Sequence, residues 1–515
     1  MLDRKSILAF TLVTAVALVG FCTFLLATRP GIGLYSDSTY YVDLARRLLS
    51  GHGYTVLDAY GISEPMPIFP FVYPTLLAGL GLLGIDLLLG ARWLHAIIFA
   101  VNIFLAAGIS FQNTSKSLGS SVLCAVVMMT SYDIFSYHTI ALSEAPFLLF
   151  TLAGFLLLNR YLERPSWLTF VASAVATALA LGTRYAGFAF IIAGGIAILF
   201  WERKRLARRV WDSVLFACTS CTLMLIWVLR NMRYNNGATG RHLNLHPPVD
   251  LAQFKELLFA ASAWISNNSR SDTALYVWGP LVGGVAILII ISTWRRSFSR
   301  EKPDLRFALP ILYVLSYVTV LVFASVFLQA DLFLDSLRIL IPVHVFSLLL
   351  ALTLGNDLFR RMKGLFGRVL VVTLCFASAL WFLVEVADVA RGDFDDGQEY
   401  AGSIYRDSEL IRIVRSLPPG ARLFSNLPWP IGLYTNRAWS LLPEKRDTAT
   451  LSSDEYSEEL RDFAQMLQEK NVFLAYFKHG DDWFAFPPIE EIQTLVPLRV
   501  LAETADGSLF VAAAQ

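Results

Sequence analysis

The run AGFAFIIAGGIAILFWERKRLARR, residues 186–209, decides how this chain is read. Up to Trp201 it carries no charge, and it then meets Arg203, Lys204, Arg205, Arg208 and Arg209. An apolar stretch stopped by a basic block is the pattern of a membrane crossing whose basic end stays in the cytoplasm.

The same pattern extends over the chain. Of 515 residues, 56% are hydrophobic and 16% charged, and the mean hydropathy is +0.55. A soluble protein carries roughly 25% charged residues, so a soluble globule of this size is excluded. Disorder is excluded too, because disordered chains are poor in apolar residues. The net charge of +1 offers no global basic field for nucleic acid. All five cysteines (Cys22, Cys124, Cys218, Cys221, Cys375) fall in apolar stretches, so no disulfide framework is implied. Cys218 and Cys221 sit inside an apolar helix and read as packing residues.

Further apolar stretches lie near 7–27, 70–90, 92–111, 119–133, 145–159, 166–182, 211–229, 276–293, 308–329, 338–356 and 369–388. Two more strong basic clusters, Arg295–Lys302 and Arg360–Arg368, together with Arg4 and Lys5, belong on the inside. An even number of crossings must then precede Arg203, yet seven apolar stretches lie there. The stretch 70–90 follows a proline-rich run (Pro65, Pro67, Pro70, Pro74) and is interrupted by Gly79, Gly81 and Gly84. It is therefore read as a helix in the outer interface. The expected architecture is mostly α and polytopic. It has about eleven crossings, with the N-terminus inside and the C-terminus outside.

Two outer segments are large. The loop 28–91 holds Asp37 and an amphipathic helix from Ser38 to Leu49. The polar tail 391–515 reads as an extracytoplasmic α/β domain following a membrane domain over 1–390. In the tail, Asp407 or Ser408 caps a helix, Leu423–Ser425 and Val472–Phe477 are strands, and Ser453–Glu469 is a helix. Asp506–Gly507 closes a hairpin between 498–503 and 508–513. No glycine-rich phosphate loop appears, which leaves the tail to cap the membrane core or to receive an acceptor.

Three groups of residues carry candidate chemistry. Asp37 stands at a helix start, where N-capping is the structural role; a carboxylate at a cavity mouth is also suited to act as a general base. Glu144 opens a crossing after the loop Ser131–Ser143, where the helix dipole favours an acid; with Tyr137 and His138 it makes a polar group at membrane depth. Arg184, Arg230, Arg241 and Arg338 sit at outer helix ends, positions that the inside-positive bias should leave poor in arginine. They either snorkel or pair with carboxylates, Asp331 and Asp335 being near Arg338, or hold a phosphate headgroup. No metal motif stands out: His242 and His246 run straight into Pro247–Pro248. Asn267–Asn268–Ser269 is a glycosylation sequon.

The order of motifs resembles a known family. Ser36–Asp37–Ser38–Thr39–Tyr40–Tyr41 follows the first crossing. Then come Leu48–Leu49–Ser50–Gly51–His52–Gly53–Tyr54, Phe69–Pro70–Phe71–Val72–Tyr73–Pro74, Ala91–Arg92–Trp93–Leu94 and Leu142–Ser143–Glu144–Ala145–Pro146. Residues 1–390 are similar to the GT-C superfamily of membrane glycosyltransferases. They look most like the protein O-mannosyltransferases and the aminoarabinose transferases of lipid A. The resemblance implies a polyprenyl-phosphate-linked sugar donor and a lipid, glycan or protein acceptor. It also implies transfer on the outer face of the cell membrane, usually with inversion. It assigns catalysis to Asp37 and Glu144, although the family usually has aspartate at the second position. It carries over the arginine of a late crossing onto Arg338, with Pro342. The expected substrate-binding residues are Tyr40, Tyr41, His138, Arg184, Tyr185, Arg230 and Arg338. After the late arginine the family usually has tyrosine; here Ile339 follows. No cofactor is fixed by the resemblance, since arginines hold a lipid phosphate either alone or with a divalent cation. A lipid or sugar transporter is the alternative reading; no internal repeat supports it, and the polar residues gather on the outer side.

Overall fold

A computed structural model describes residues 4–57, 63–201, 204–235, 238–240, 251–266, 284, 291, 304–327, 336–443, 453–479 and 486–513. Arg203, Arg241, His242, His246, the 267–269 sequon, all of the 276–293 stretch but residues 284 and 291, the basic cluster 295–302, Asp331 and Asp335 lie outside them. The chain divides into two compact units. One holds Met1–Arg29, Pro67–Tyr73 and Leu89–Asp395; the other holds Pro30–Met66, Pro74–Leu88 and Asp396–Gln515.

The apolar runs of the first unit fold as helices, because only a helix satisfies its own backbone in lipid without closing a sheet. Among the described residues seven helices are long and apolar enough to cross a membrane. They include Arg4–Ala27, Glu144–Glu163, Leu305–Phe327 and Ile341–Arg361. An eighth span is the pair Leu118–Thr130 and Tyr132–His138, bent by 59°. Trp167–Thr183 is apolar but only 17 residues long, about 25 Å against a hydrocarbon core of about 30 Å. The described helices thus give fewer full-length spans than the expected eleven. The stretch 70–90 yields only the 11-residue helix Val72–Leu82, too short to cross. Leu365–Asp396 buries just Phe382 and Val386 and exposes most of its large apolar residues, as a lipid-facing helix does.

Small residues let these helices approach closely. A Cβ on Gly154 would sit 2.5 Å from the Phe190 ring, and one on Gly194 would sit 2.6 Å from the Phe216 ring. Farther along, Phe155 packs edge-on to Phe346 at 5.0 Å and Tyr313 lies 4.4 Å from the same ring. The bend at Ser131, whose backbone is extended, turns the expected loop 131–143 mostly into helix.

The second unit carries a five-stranded sheet. In chain order after the small β1 (Thr55–Leu57) and β2 (Ser63–Pro65) hairpin, its strands are β3 (Arg422–Ser425), β4 (Ser440–Leu441), β5 (Val472–Phe477), β6 (Leu498–Glu503) and β7 (Gly507–Ala512). They are ordered β4-β3-β5-β7-β6, with β3 parallel to β4 and β5, and β7 antiparallel to β5 and β6. Helix Ser453–Met466 lays Leu460 and Phe463 on a core with Phe424, Val472 and Leu474. Ser408, one of the two expected caps, accepts from Ile411 N at 3.0 Å. The first outer loop folds with this tail: Arg46, on the Ser36–Leu49 helix, donates to the carbonyls of Gly432 and Leu433 at 3.2 and 3.1 Å. Those carbonyls lie in the last turn of helix Pro428–Thr435, where a cation is favoured.

Candidate functional site

Glu144 is the centre of the polar cluster in the first unit. It opens the Glu144–Glu163 helix and is 4% exposed. A buried carboxylate must be paired to stay charged. Both partners come from distant chain segments that interrupt helices. Arg184 is the extended residue between helix Trp167–Thr183 and the 3-10 turn Tyr185–Gly187. Arg338 sits on the short Ser336–Ile339 turn just before helix Ile341–Arg361. Arg184 Nη1 and Arg338 Nε both donate to Glu144 Oε1, and Arg184 Nη1 also meets Ser143 Oγ at 3.2 Å. Glu144 Oε2 is buried with no hydrogen-bond partner among the described residues. With Phe147, Tyr317 and Pro342 these groups line a small pocket.

An open apolar pocket of about 350 Å³ is lined by Leu181, Tyr185, Phe188, Met224, Leu225 and Val228, with Cys221 and Thr239 also on its wall. Tyr185, adjacent in sequence to Arg184, has its hydroxyl fixed by donation to Pro67 O at 2.7 Å and by the Trp227 indole N–H at 3.2 Å.

The other expected residues have different surroundings. Arg230 lies over the rings of Trp227 and Tyr234, at 5.1 and 5.6 Å, and bonds Asn231 Oδ1. His138 is 1% exposed and held in an internal network. Its Nδ1 donates to Ile134 O at 2.5 Å, so its Nε2 accepts from Asn102 Nδ2 at 3.0 Å. Asn102 Nδ2 also donates to Ala145 O. His95 continues the network, between His138 O at 3.0 Å and the Tyr73 hydroxyl at 2.8 Å.

Asp37, Tyr40 and Tyr41 belong to the second unit. Asp37 is half-buried in the first turn of the Ser36–Leu49 helix. Capping there falls to Ser38, whose Oγ accepts from Tyr35 N at 2.9 Å. Tyr41 is buried, and Tyr40 meets the Trp439 ring at 5.8 Å.

Sequence reasoning passed over Asp133 and His344. Both are buried, with His344 Nδ1 2.8 Å from Asp133 Oδ2 and Ser131 Oγ 2.9 Å from Asp133 Oδ1. The signal was available for Asp133, an acid at membrane depth. Among the described residues no three His, Cys, Asp or Glu gather as a metal-binding group.

Residues 85–234 match the family of dolichyl-phosphate-mannose-protein mannosyltransferases. No curated protein matches the chain by sequence. The fold is similar to that of ArnT from Cupriavidus metallidurans bound to undecaprenyl phosphate, with TM-score 0.54, 14% identity, and 97% of each chain covered. It is also similar to the arabinofuranosyltransferase AftD from Mycobacteria, with TM-score 0.53 and 14% identity over 98% of this chain and 40% of that one. The resemblance read from the sequence is thus met by a family match over residues 85–234 and by a similar fold. The described residues hold seven helices long and apolar enough to cross a membrane.

Proposed function

We propose that this chain, similar in its central segment to the mannosyltransferase family and in fold to ArnT, is a glycosyltransferase. It takes a sugar from a polyprenyl-phosphate donor and passes it to a lipid, glycan or protein acceptor at the outer face of the membrane. The observation that carries the reading is Glu144 holding Arg184 and Arg338, with Tyr185, the residue after Arg184, lining an apolar pocket. An anionic headgroup on a long apolar chain needs both features.

In this reading Arg184 and Arg338 hold the donor phosphate, and Glu144 keeps both guanidiniums aimed. The acceptor hydroxyl or amine attacks C1 from the face opposite the phosphate, giving inversion. Asp37 takes the acceptor proton. The C1–O bond to phosphate breaks, and the electron pair leaves on a polyprenyl phosphate monoester whose new charge the arginines stabilise.

The test is transfer by the full chain in lipid nanodiscs, offered a panel of polyprenyl-phosphate sugars. Release of polyprenyl phosphate with a glycosylated acceptor is expected from wild type, and much less from Asp37→Asn. Undiminished transfer by a correctly inserted Asp37→Asn protein would remove the base assignment. Movement of intact donor across the bilayer without transfer would favour the transporter reading instead.

A further inference from the structure

Two short segments of the first unit are joined twice. Residues 131–144 carry Asp133 and Glu144, and residues 338–344 carry Arg338 and His344. Arg338 reaches Glu144, and His344 reaches Asp133. Between Arg338 and His344 the helix breaks at Leu340, whose backbone leaves helical geometry (φ −85°, ψ 0°) before Ile341–Arg361 begins. Across such a break, the reach of Arg338 depends on where the next helix is anchored.

That anchor is over-determined. His344 lies in the first turn of Ile341–Arg361 and is 5% exposed. Its Nδ1–H donates to Asp133 Oδ2 at 2.8 Å, while Ser131 fixes the other carboxylate oxygen. The face of its ring is stacked on Trp264 at 4.8 Å with an interplanar angle of 9°. On the other side of the break the Tyr317 hydroxyl donates to Ile339 O at 3.0 Å. A buried charge-assisted pair of this kind costs free energy unless it is well satisfied, and here each oxygen has a partner. Nothing in the proposed chemistry uses it directly.

We infer that Asp133 and His344 form a positioning clamp that sets Arg338 against Glu144 and so builds the phosphate-binding side of the site. This rests on the function proposed above. Asp133 and His344 act through Arg338 and touch no reacting atom.

The experiment measures binding of undecaprenyl phosphate to the full chain in nanodiscs, together with thermal unfolding. His344→Phe keeps a ring for Trp264 but removes the N–H donor; His344→Asn keeps a donor and loses the ring. The expected result is about a tenfold weaker Kd for His344→Phe, the scale of one lost charge-assisted hydrogen bond. His344→Asn should stay within about threefold. On an Arg338→Gln background His344→Phe should add nothing, because His344 acts on the lipid only through Arg338. Wild-type binding by His344→Phe, or effects that simply add in the double variant, would overturn the clamp. If wild type itself fails to bind the lipid, the proposed function falls, and the clamp is read from unfolding alone. Non-additive shifts in Tm for His344→Phe and Arg338→Gln then support it, and additive shifts overturn it.

Discussion

Arg338 and Glu144, 194 positions apart in sequence, share a buried contact in which the Arg338 Nε–H donates to Glu144 Oε1. Arg184 donates to the same oxygen from a third segment. One carboxylate therefore holds two cations at the point where three helices start or break.

Removing the carboxylate and removing an arginine should have different consequences. Glu144→Ala leaves two poorly exposed guanidiniums facing each other. It should cost about 3 kcal/mol of stability, the scale of a broken buried pair. Arg338→Ala leaves Glu144 paired with Arg184 and should unfold near the wild-type temperature while sugar transfer falls by about a hundredfold or more. Thermal unfolding and transfer assays on the two variants check this. Equal stability losses would show that the cluster is only structural.

Gly187 supports the turn that presents Arg184. A Cβ there would lie 2.6 Å from the backbone of Leu181, which has no side-chain end to swing away. Gly187→Ala should displace the turn and reduce transfer by at least tenfold. Gly79 is the control: it lies in helix Val72–Leu82 with nothing within 4 Å of an added Cβ. Gly79→Ala should leave transfer intact and raise stability by about 0.5 kcal/mol through helix propensity. Parallel losses in both variants would contradict the assignment of the turn.

Arg46 ties the Asp37 helix to the tail by capping the Gly432 and Leu433 carbonyls. Arg46→Ala should destabilise the second unit by about 1 kcal/mol, since the arginine is partly exposed. Protection of the Ser36–Leu49 amides against hydrogen exchange should fall with it. Unchanged protection would mean that the helix is held by its apolar face alone.

The hairpin turn of the tail carries a pH dependence. Burial pushes the Asp506 carboxyl up, but hydrogen bonds from Ser408, Thr504 and backbone N–H groups outweigh it and hold it below the ordinary aspartate range. An acid depressed in the folded state contributes stability that is present above its unfolded value, 3.8. That stability is lost as pH falls through the lower folded value. Exchange protection of the β6–β7 turn, corrected for intrinsic rate, should therefore drop below about pH 4. In Asp506→Asn the drop should be absent. Persistence of the same drop in that variant would assign it to another group.

Much of the tail was legible locally. The Ser408 cap and strand Val472–Phe477 came out where their patterns predicted, because caps and strands are set by neighbours in sequence. The polar candidates Glu144, Arg184 and Arg338 were legible one at a time, as charges at the ends of apolar helices. Their convergence was not, and neither was the Asp133–His344 pair. His138, expected to bind substrate, has both ring nitrogens engaged by Ile134 and Asn102.

The sequence by itself determined that this chain lives in a membrane and where its polar groups must escape lipid, because the cost of burying charge acts residue by residue. Only the tertiary structure decided which charges meet. Glu144 could have paired with any nearby cation. The breaks at Arg184 and Leu340, and the helix packing around Gly154 and Gly194, bring two particular arginines to one oxygen. Such pairing joins positions far apart in the chain, and no local pattern encodes that distance.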